Sequence, residues 1–150
     1  MKSGGTMRIT DILGEKGIEV HTALPWITVA DAARRLTAAG VGALIVCDAE
    51  RRIRGVISER DIVRGIAERG ASVLDDRVES VMSHDVHTCE PGETIARAMA
   101  LMTRFRYRHL PVIDRGRLVG IISIGDLVKH RVNEMEMERG VLRDRVIARS

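Results

Sequence analysis

Apolar and polar positions along this chain switch between two periods. After Thr28 the apolar residues Val29, Ala33 and Leu36 recur at i, i+4 and i+7, as do Ile95, Met99 and Met102 after Thr94. That spacing predicts one buried helical stripe behind an N-capping hydroxyl in each case. Each helix gives way to a short, almost wholly apolar run, Ala43 to Cys47 and Leu110 to Ile113. Such runs suit strands covered on both faces. A polar turn (Asp48 to Arg52, Asp114 to Arg117) leads to a second apolar strand, Ile53 to Ile57 or Leu118 to Ile122. Further helices are predicted from about Asp61 and Asp126, after Ser58 and Ser123, and Val20-His21-Thr22 and Val86-His87-Thr88 read as short extended segments in front.

These elements are two copies of one pattern. Val20-His21-Thr22 with Pro25 matches Val86-His87-Thr88 with Pro91; Ala30, Ala32 and Thr37 match Ala96, Ala98 and Thr103; Leu44, Val46 and Asp48 match Leu110, Val112 and Asp114. After a one-residue deletion, Gly55, Ile57, Ser58, Asp61 and Val63 match Gly120, Ile122, Ser123, Asp126 and Val128. Two copies are too few for a solenoid. A single copy would bury little core alone, so the pair is expected to pack sheet against sheet. The predicted fold class is α/β (α+β): two β-α-β-β-α repeats related by a pseudo-twofold, with a C-terminal helical extension. Residues 8–67 form the first repeat, 68–77 a linker, 78–135 the second repeat and 136–150 the tail. In the charged stretch from Val132 to Ala148, Val128, Val132 and Met135 continue a helical stripe that Gly140 interrupts. A partly solvated helix extension is the preferred reading, with a partner-binding helix as the alternative.

Composition narrows the function. With 150 residues and 16.6 kDa the chain has the size of one ordinary globular unit. Aromatic residues make up 2%, namely Trp26, Phe105 and Tyr107, too few to stack successive bases of a single strand. No apolar run reaches the roughly 18 residues of a membrane-spanning helix, and Met1 to Thr6 lacks a signal peptide's apolar stretch. A cytoplasmic protein is expected. Cys47 and Cys89 match no metal-ligand spacing and read as two inert thiols in a reducing compartment. The 21 Arg and 3 Lys are nearly cancelled by 21 acids, leaving +3. Local clusters of Arg therefore matter more than the total.

The repeated segments that carry chemistry are Gly55-Val56-Ile57-Ser58-Glu59-Arg60-Asp61 and Gly120-Ile121-Ile122-Ser123-Ile124-Gly125-Asp126. A strand ends in a hydroxyl, and three residues later an acid opens a helix. One reading is a capping box variant, stabilising by about 0.5–2 kcal/mol. The other is a ribose site: a carboxylate accepts two hydrogen bonds from a vicinal diol while the hydroxyl and helix N-terminal amides face a phosphate. The two readings are compatible.

The doubled Gly-x-x-Ser-x-x-Asp signature, the segment Arg108-His109-Leu110-Pro111-Val112-Ile113-Asp114 and the repeated β-α-β-β-α pattern resemble a tandem pair of CBS (cystathionine-β-synthase) domains, also called a Bateman module. The resemblance covers residues 8 to 135, with no catalytic domain beside the pair, as in the small stand-alone bacterial CBS-pair proteins. It implies a regulatory sensor rather than an enzyme. The implied ligand is AMP, ADP, ATP or NAD in the cleft between repeats, with S-adenosylmethionine ranked behind them and no metal. By position, Asp61 and Asp126 would hold ribose hydroxyls, with Ser58 and Ser123 beside them. Composite sites are expected: Asp126 with Ile18, Val20 and Gly42-Ala43-Leu44, and Asp61 with His84, Val86 and Arg108-His109-Leu110. Val20, Leu44, Val86 and Leu110 would line an adenine slot. The second copy carries Arg104, Arg106, Arg108 and His109 where the first has Ala38, Gly40, Gly42 and Ala43, so the resemblance makes it the phosphate end, with Lys16 and Arg60 as helpers. The first copy's extra segment, Gly14 to Gly17, predicts two sites of unequal affinity, or one ligand spanning toward the other site as a dinucleotide would.

Other residues take structural readings. His21 and His87 repeat but lack Cys or acid at ligand spacing, which favours surface histidines over zinc. Met82, Met99 and Met102 read as core. The Arg104 to His109 cluster supports the alternative of a nucleic-acid-associated regulator, but its five-residue core, Arg104 to Arg108, is short against the many cations of a DNA-binding face. The resemblance further implies a homodimer formed through apolar helix faces, and an unidentified regulated protein that feels the ligand.

Overall fold

The structure, a computed structural model, describes residues 6–17 and 19–149, with side chains described through residue 140. Its elements run α1 (Ile9–Lys16), β1 (Thr22–Ala23), α2 (Val29–Ala39), β2 (Ala43–Cys47), β3 (Ile53–Ser58), α3 (Glu59–Arg69), α4 (Ile95–Phe105), β4 (His109–Asp114), β5 (Arg117–Ser123) and α5 (Ile124–Arg149), with 3-10 turns at Ala71–Asp75 and Val78–Ser80. This is the mixed α/β fold read from the repeats. Thr28 and Thr94 cap α2 and α4 through bonds from the Asp31 and Arg97 amides. The helix stripes sit one residue off the expected register at their middle position. Ala32 and Ala98 are buried between Val29 and Leu36 and between Ile95 and Met102, whereas Ala33 and Met99 are half-buried.

The backbone gathers into two compact units. One comprises Glu19–Thr88 with Ile113–Val119, the other Met1–Ile18, Cys89–Val112 and Gly120–Ser150. In the first, β1, β2 and β3 form a three-stranded sheet, β1 parallel and β3 antiparallel to β2. Its core packs Val29 and Leu36 of α2 against Leu44, Val46 and Ile57 of the sheet, closed by Ile62, Val78 and Met82. In the second, Ile9, Ile12, Ile95, Met102, Leu110, Val112, Ile122 and Leu127 are almost completely buried. Strands β4 and β5 pair with each other.

Each repeat is completed by the stretch of chain that precedes the other copy. In the first unit Thr28 bridges Arg77, the Val29 amide donates to Asp76 O, and Val78 N donates to Ile27 O. In the second unit Thr94 bridges Arg8, the Ile95 amide donates to Met7 O, and Ile9 N donates to Glu93 O. Arg77, Val78 and Met82 thus have counterparts in Arg8, Ile9 and Leu13. The matched glycines report the same arrangement. A Cβ on Gly55 would lie 2.6 Å from Ser83 O and 2.8 Å from Met82 Sδ, and one on Gly120 would lie 2.7 Å from Leu13 Cδ2.

The extended segments depart from expectation. The first shrinks to Thr22–Ala23, and in the second copy only an isolated parallel bridge, Cys89 to Val112, takes its place. The cause is a ladder donor. In the first copy Ile45 N donates to His21 O, but the residue matched to Ile45 is Pro111, which has no N–H to offer His87. The second apolar run therefore binds the incoming chain only one step later, through Cys89 N to Pro111 O.

Candidate functional site

The antiparallel hairpin of β2 and β3 brings the start of one strand beside the end of the other: Ala43 pairs with Ser58 and Leu44 with Ile57. Ser58 then caps α3. The Ser58 amide and hydroxyl both donate to Asp61 Oδ2 at 2.9 Å, and Asp61 N donates back to Ser58 Oγ. The Asp61 side chain, 13% exposed, has Arg64 Nη1 3.7 Å away on its own helix. Glu59 N donates to Gly42 O, so the start of β2 also holds the first turn of α3. The capping box is real, and it leaves a carboxylate fixed at a strand–helix junction.

The second copy repeats the frame with a different charge environment. Ser123 N donates to Asp126 Oδ2 at 2.9 Å and Asp126 N donates to Ser123 Oγ at 3.0 Å. Ile124 N donates to Arg108 O, as Glu59 N does to Gly42 O. Here a cation from another helix arrives. Lys16 Nζ, at the end of α1, lies 2.6 Å from Asp126 Oδ2 and donates to Ile121 O at 3.0 Å. Burial pushes the Asp126 carboxyl upward, but the Lys16 and Ser123 bonds together outweigh it and hold it below the usual carboxylate value. His109 is held below the ordinary imidazole value, first by partial desolvation and then by the Lys16 charge, with Asp126 acting in the opposite sense. One residue before Lys16, Glu15 Oε2 lies 3.0 Å from Nε2 of His130, which is 5% exposed. Glu15 and Lys16 thus grip Asp126 and His130, one turn apart on α5. Sequence reasoning missed both α1 and His130; the signal was the Ile9, Ile12, Leu13 stripe.

Within each repeat the hairpin sets which residues adjoin the Ser-x-x-Asp junction. Gly42 and Ala43 adjoin Ser58 of their own repeat, and Arg108 adjoins Ile124 of its own. An antiparallel hairpin requires this, since the start of its first strand must face the end of its second. Leu44 and Leu110, at 1% and 0% exposure, lie in the core, and the neighbouring Ala43 and His109 are the exposed positions. Val20 and Val86 are half-buried; Arg60 and His84 are exposed. Ile18 lies outside the described residues. Arg106 is not on a strand at all: it caps α4 with φ 58°, where the first copy has Gly40 with φ 66°. Arg104 Cζ sits 5.4 Å over the Phe105 ring. Both thiols are buried; burial raises Cys47 above its ordinary value and pushes Cys89 up to about 12. Among the described residues no cluster of three or more His, Cys, Asp or Glu is arranged to hold a metal ion, and no helix is long and apolar enough to cross a membrane.

Comparison with known proteins gives a consistent result. The family model described as CBS domain matches residues 20–68 and again 78–133. The mitochondrial CBS domain-containing protein CBSX3 of Arabidopsis thaliana is 36% identical over 138 residues, spanning 87% of this chain and 67% of its own. A crystal structure of a CBS-domain containing protein from Agrobacterium tumefaciens is 40% identical, with TM-score 0.75 over 87% of this chain and 98% of its own. Two more distant folds were solved with ligands. CBSX2 in complex with AMP is 22% identical, with TM-score 0.69 over 84% of this chain and 96% of its own. A CBS domain pair in complex with 5′-methylthioadenosine and S-adenosyl-L-methionine is 23% identical, with TM-score 0.67 over 86% of this chain and 98% of its own.

Proposed function

This chain belongs to the CBS-domain family as a tandem pair, and from that premise we propose that it is a regulatory binder of an adenosine ligand: AMP, ADP, ATP or NAD. The observation that carries the reading is the doubled Ser-x-x-Asp junction. At both, the carboxylate has its backbone and hydroxyl bonds in place, yet the Asp61 and Asp126 side chains keep 13% and 26% of their surface open. A fixed, partly open carboxylate is what a ribose diol requires, because both hydroxyls can donate to it without reorganisation. The AMP and S-adenosylmethionine held by distant neighbours of the same fold support the ligand class. The Ser58 and Ser123 hydroxyls are engaged in the helix caps they share with Asp61 and Asp126, which favours binding over catalysis. A ligand that prefers one state shifts the population, and a partner protein that distinguishes the states reads the shift.

A thermal-shift panel of AMP, ADP, ATP, NAD, NADH and S-adenosylmethionine tests this. A ligand at a hundredfold excess over Kd stabilises by about 2.7 kcal/mol, which raises Tm by several degrees in a chain of this size. No shift with any of the six would sink the reading.

We propose homodimerisation through α5 on a separate ground. Val128, Val132 and Met135 form a stripe 47%, 46% and 45% exposed along it, and apolar helix stripes of this kind are normally covered. Light scattering is expected to give twice the chain mass for the parent and the monomer mass for Val132→Glu. A monomeric parent would rule it out.

A further inference from the structure

The polar turns that close the two hairpins lie together. Residues 113–119 gather into the same compact unit as the first repeat, and Leu118 N donates to Arg51 O at 2.8 Å, tying one turn to the other. Five exposed arginines meet there: Arg51, Arg52 and Arg54 from the first hairpin, Arg115 and Arg117 from the second. None of the five has an ion pair or a side-chain hydrogen bond among the described residues. By contrast Arg34, Arg64, Arg97 and Arg131, on helices, each lie 2.7–3.7 Å from a carboxylate. Three acids accompany the five cations, Asp48, Glu50 and Asp114, and the excess of two is most of the chain's formal +3. Asp48 Oδ1 is taken up by its own turn, accepting from the Glu50 and Arg52 amides at 3.0 and 2.9 Å.

Unpaired guanidinium forks suit carboxylates, which they hold through two parallel bonds. Five cations fall short of the roughly 6–10 phosphate contacts of a duplex-binding face. The turns carry no aromatic ring to stack a base and no large exposed apolar side chain to enter a lipid surface. The strands that leave them lead to the two Ser-x-x-Asp junctions, β3 over Ile53–Ser58 and β5 over Arg117–Ser123. We infer that the joined turns are a docking surface for an aspartate- and glutamate-rich segment of the protein that this chain regulates. The inference rests on the regulatory-binder reading above and gives its partner a chemistry.

Fluorescence anisotropy with a labelled decaglutamate peptide tests it. Arg51 and Arg115 occupy left-handed backbone positions, φ 68° and 54°, so glycine removes both charges and keeps the turns. The parent is expected to bind the peptide saturably. Arg51→Gly with Arg115→Gly is expected to weaken it about tenfold, two exposed charge contacts of roughly threefold each. Arg34→Gln with Arg97→Gln removes as much charge from helix surfaces and is expected to stay within about twofold of the parent. No saturable binding by the parent, an unchanged Kd in the glycine variant, or an equal loss in the glutamine variant overturns the inference. So does binding of a short DNA duplex or of phosphatidylserine vesicles that depends on these arginines and exceeds that of the peptide. Thermal shifts with the six adenosine ligands, measured on the same proteins, keep the two readings apart. A ligand shift without peptide binding removes the docking surface alone, whereas no shift in the parent removes the regulatory reading and this inference with it.

Discussion

Asp126→Asn and Asp61→Asn are each expected to weaken adenosine-ligand binding at their own site by about 10- to 100-fold, and the double variant to lose the ligand response altogether. Each replacement swaps a carboxylate for a neutral amide, and hydrogen bonds to a charged acceptor are worth about 1.5–3 kcal/mol net. The asparagine oxygen can still accept from Ser123 N or Ser58 N, bonds of 2.9 Å in the parent, so the helix caps survive. Loss of binding then reports on the ligand and not on a frayed helix. Calorimetry with AMP, alongside urea midpoints for each variant, separates the two. Variants that bind like the parent would remove both carboxylates from the site.

Gly55→Val is expected to cost stability at the upper end of the range for overpacking, about 3 kcal/mol, and Gly120→Val clearly less. The glycines are matched in sequence, but what lies over them differs. Any side chain at Gly55 meets a backbone carbonyl, Ser83 O at 2.6 Å, held by reciprocal bonds between Val56 and Ser83. At Gly120 the obstacle is the methyl end of Leu13 at 2.7 Å, which can rotate away. Urea denaturation measures both, and Leu13→Ala is expected to relieve much of the Gly120→Val cost. Equal losses at the two glycines would contradict the structural asymmetry.

Much of this fold was legible because the residues that build it act locally. The apolar runs became β2 to β5, and Thr28, Thr94, Ser58 and Ser123 cap the helices they precede. The capping reading of the Ser-x-x-Asp segments was legible for the same reason, since three residues of spacing fix the geometry. What stayed hidden depends on distant partners. The helix α1 is eight residues long, too short to announce itself by periodicity, and its likeness to residues 77–82 is offset by a three-residue insertion from the register of the repeats. The Lys16–Asp126 pair spans 110 residues, beyond any local pattern. Pro111 is different. Its lack of an N–H was on view throughout, and it accounts for the second copy's missing strand.

The exchange of closing segments has a bearing on how the chain is made. Arg8 and the Gly92 carbonyl it bonds are 84 residues apart, so at about 5–20 residues per second a ribosome needs roughly 4–17 seconds between delivering one and the other. For that interval Ile9, Ile12 and Leu13 have emerged and have nothing to bury against. The first repeat waits in turn for residues 76–82, and its closure is the earlier and shorter-range event. For these two closing segments birth order therefore runs opposite to completion order: residues 7–13 are made before residues 76–82 yet find their partners after them, and for that interval their greasy face is an invitation to a chaperone.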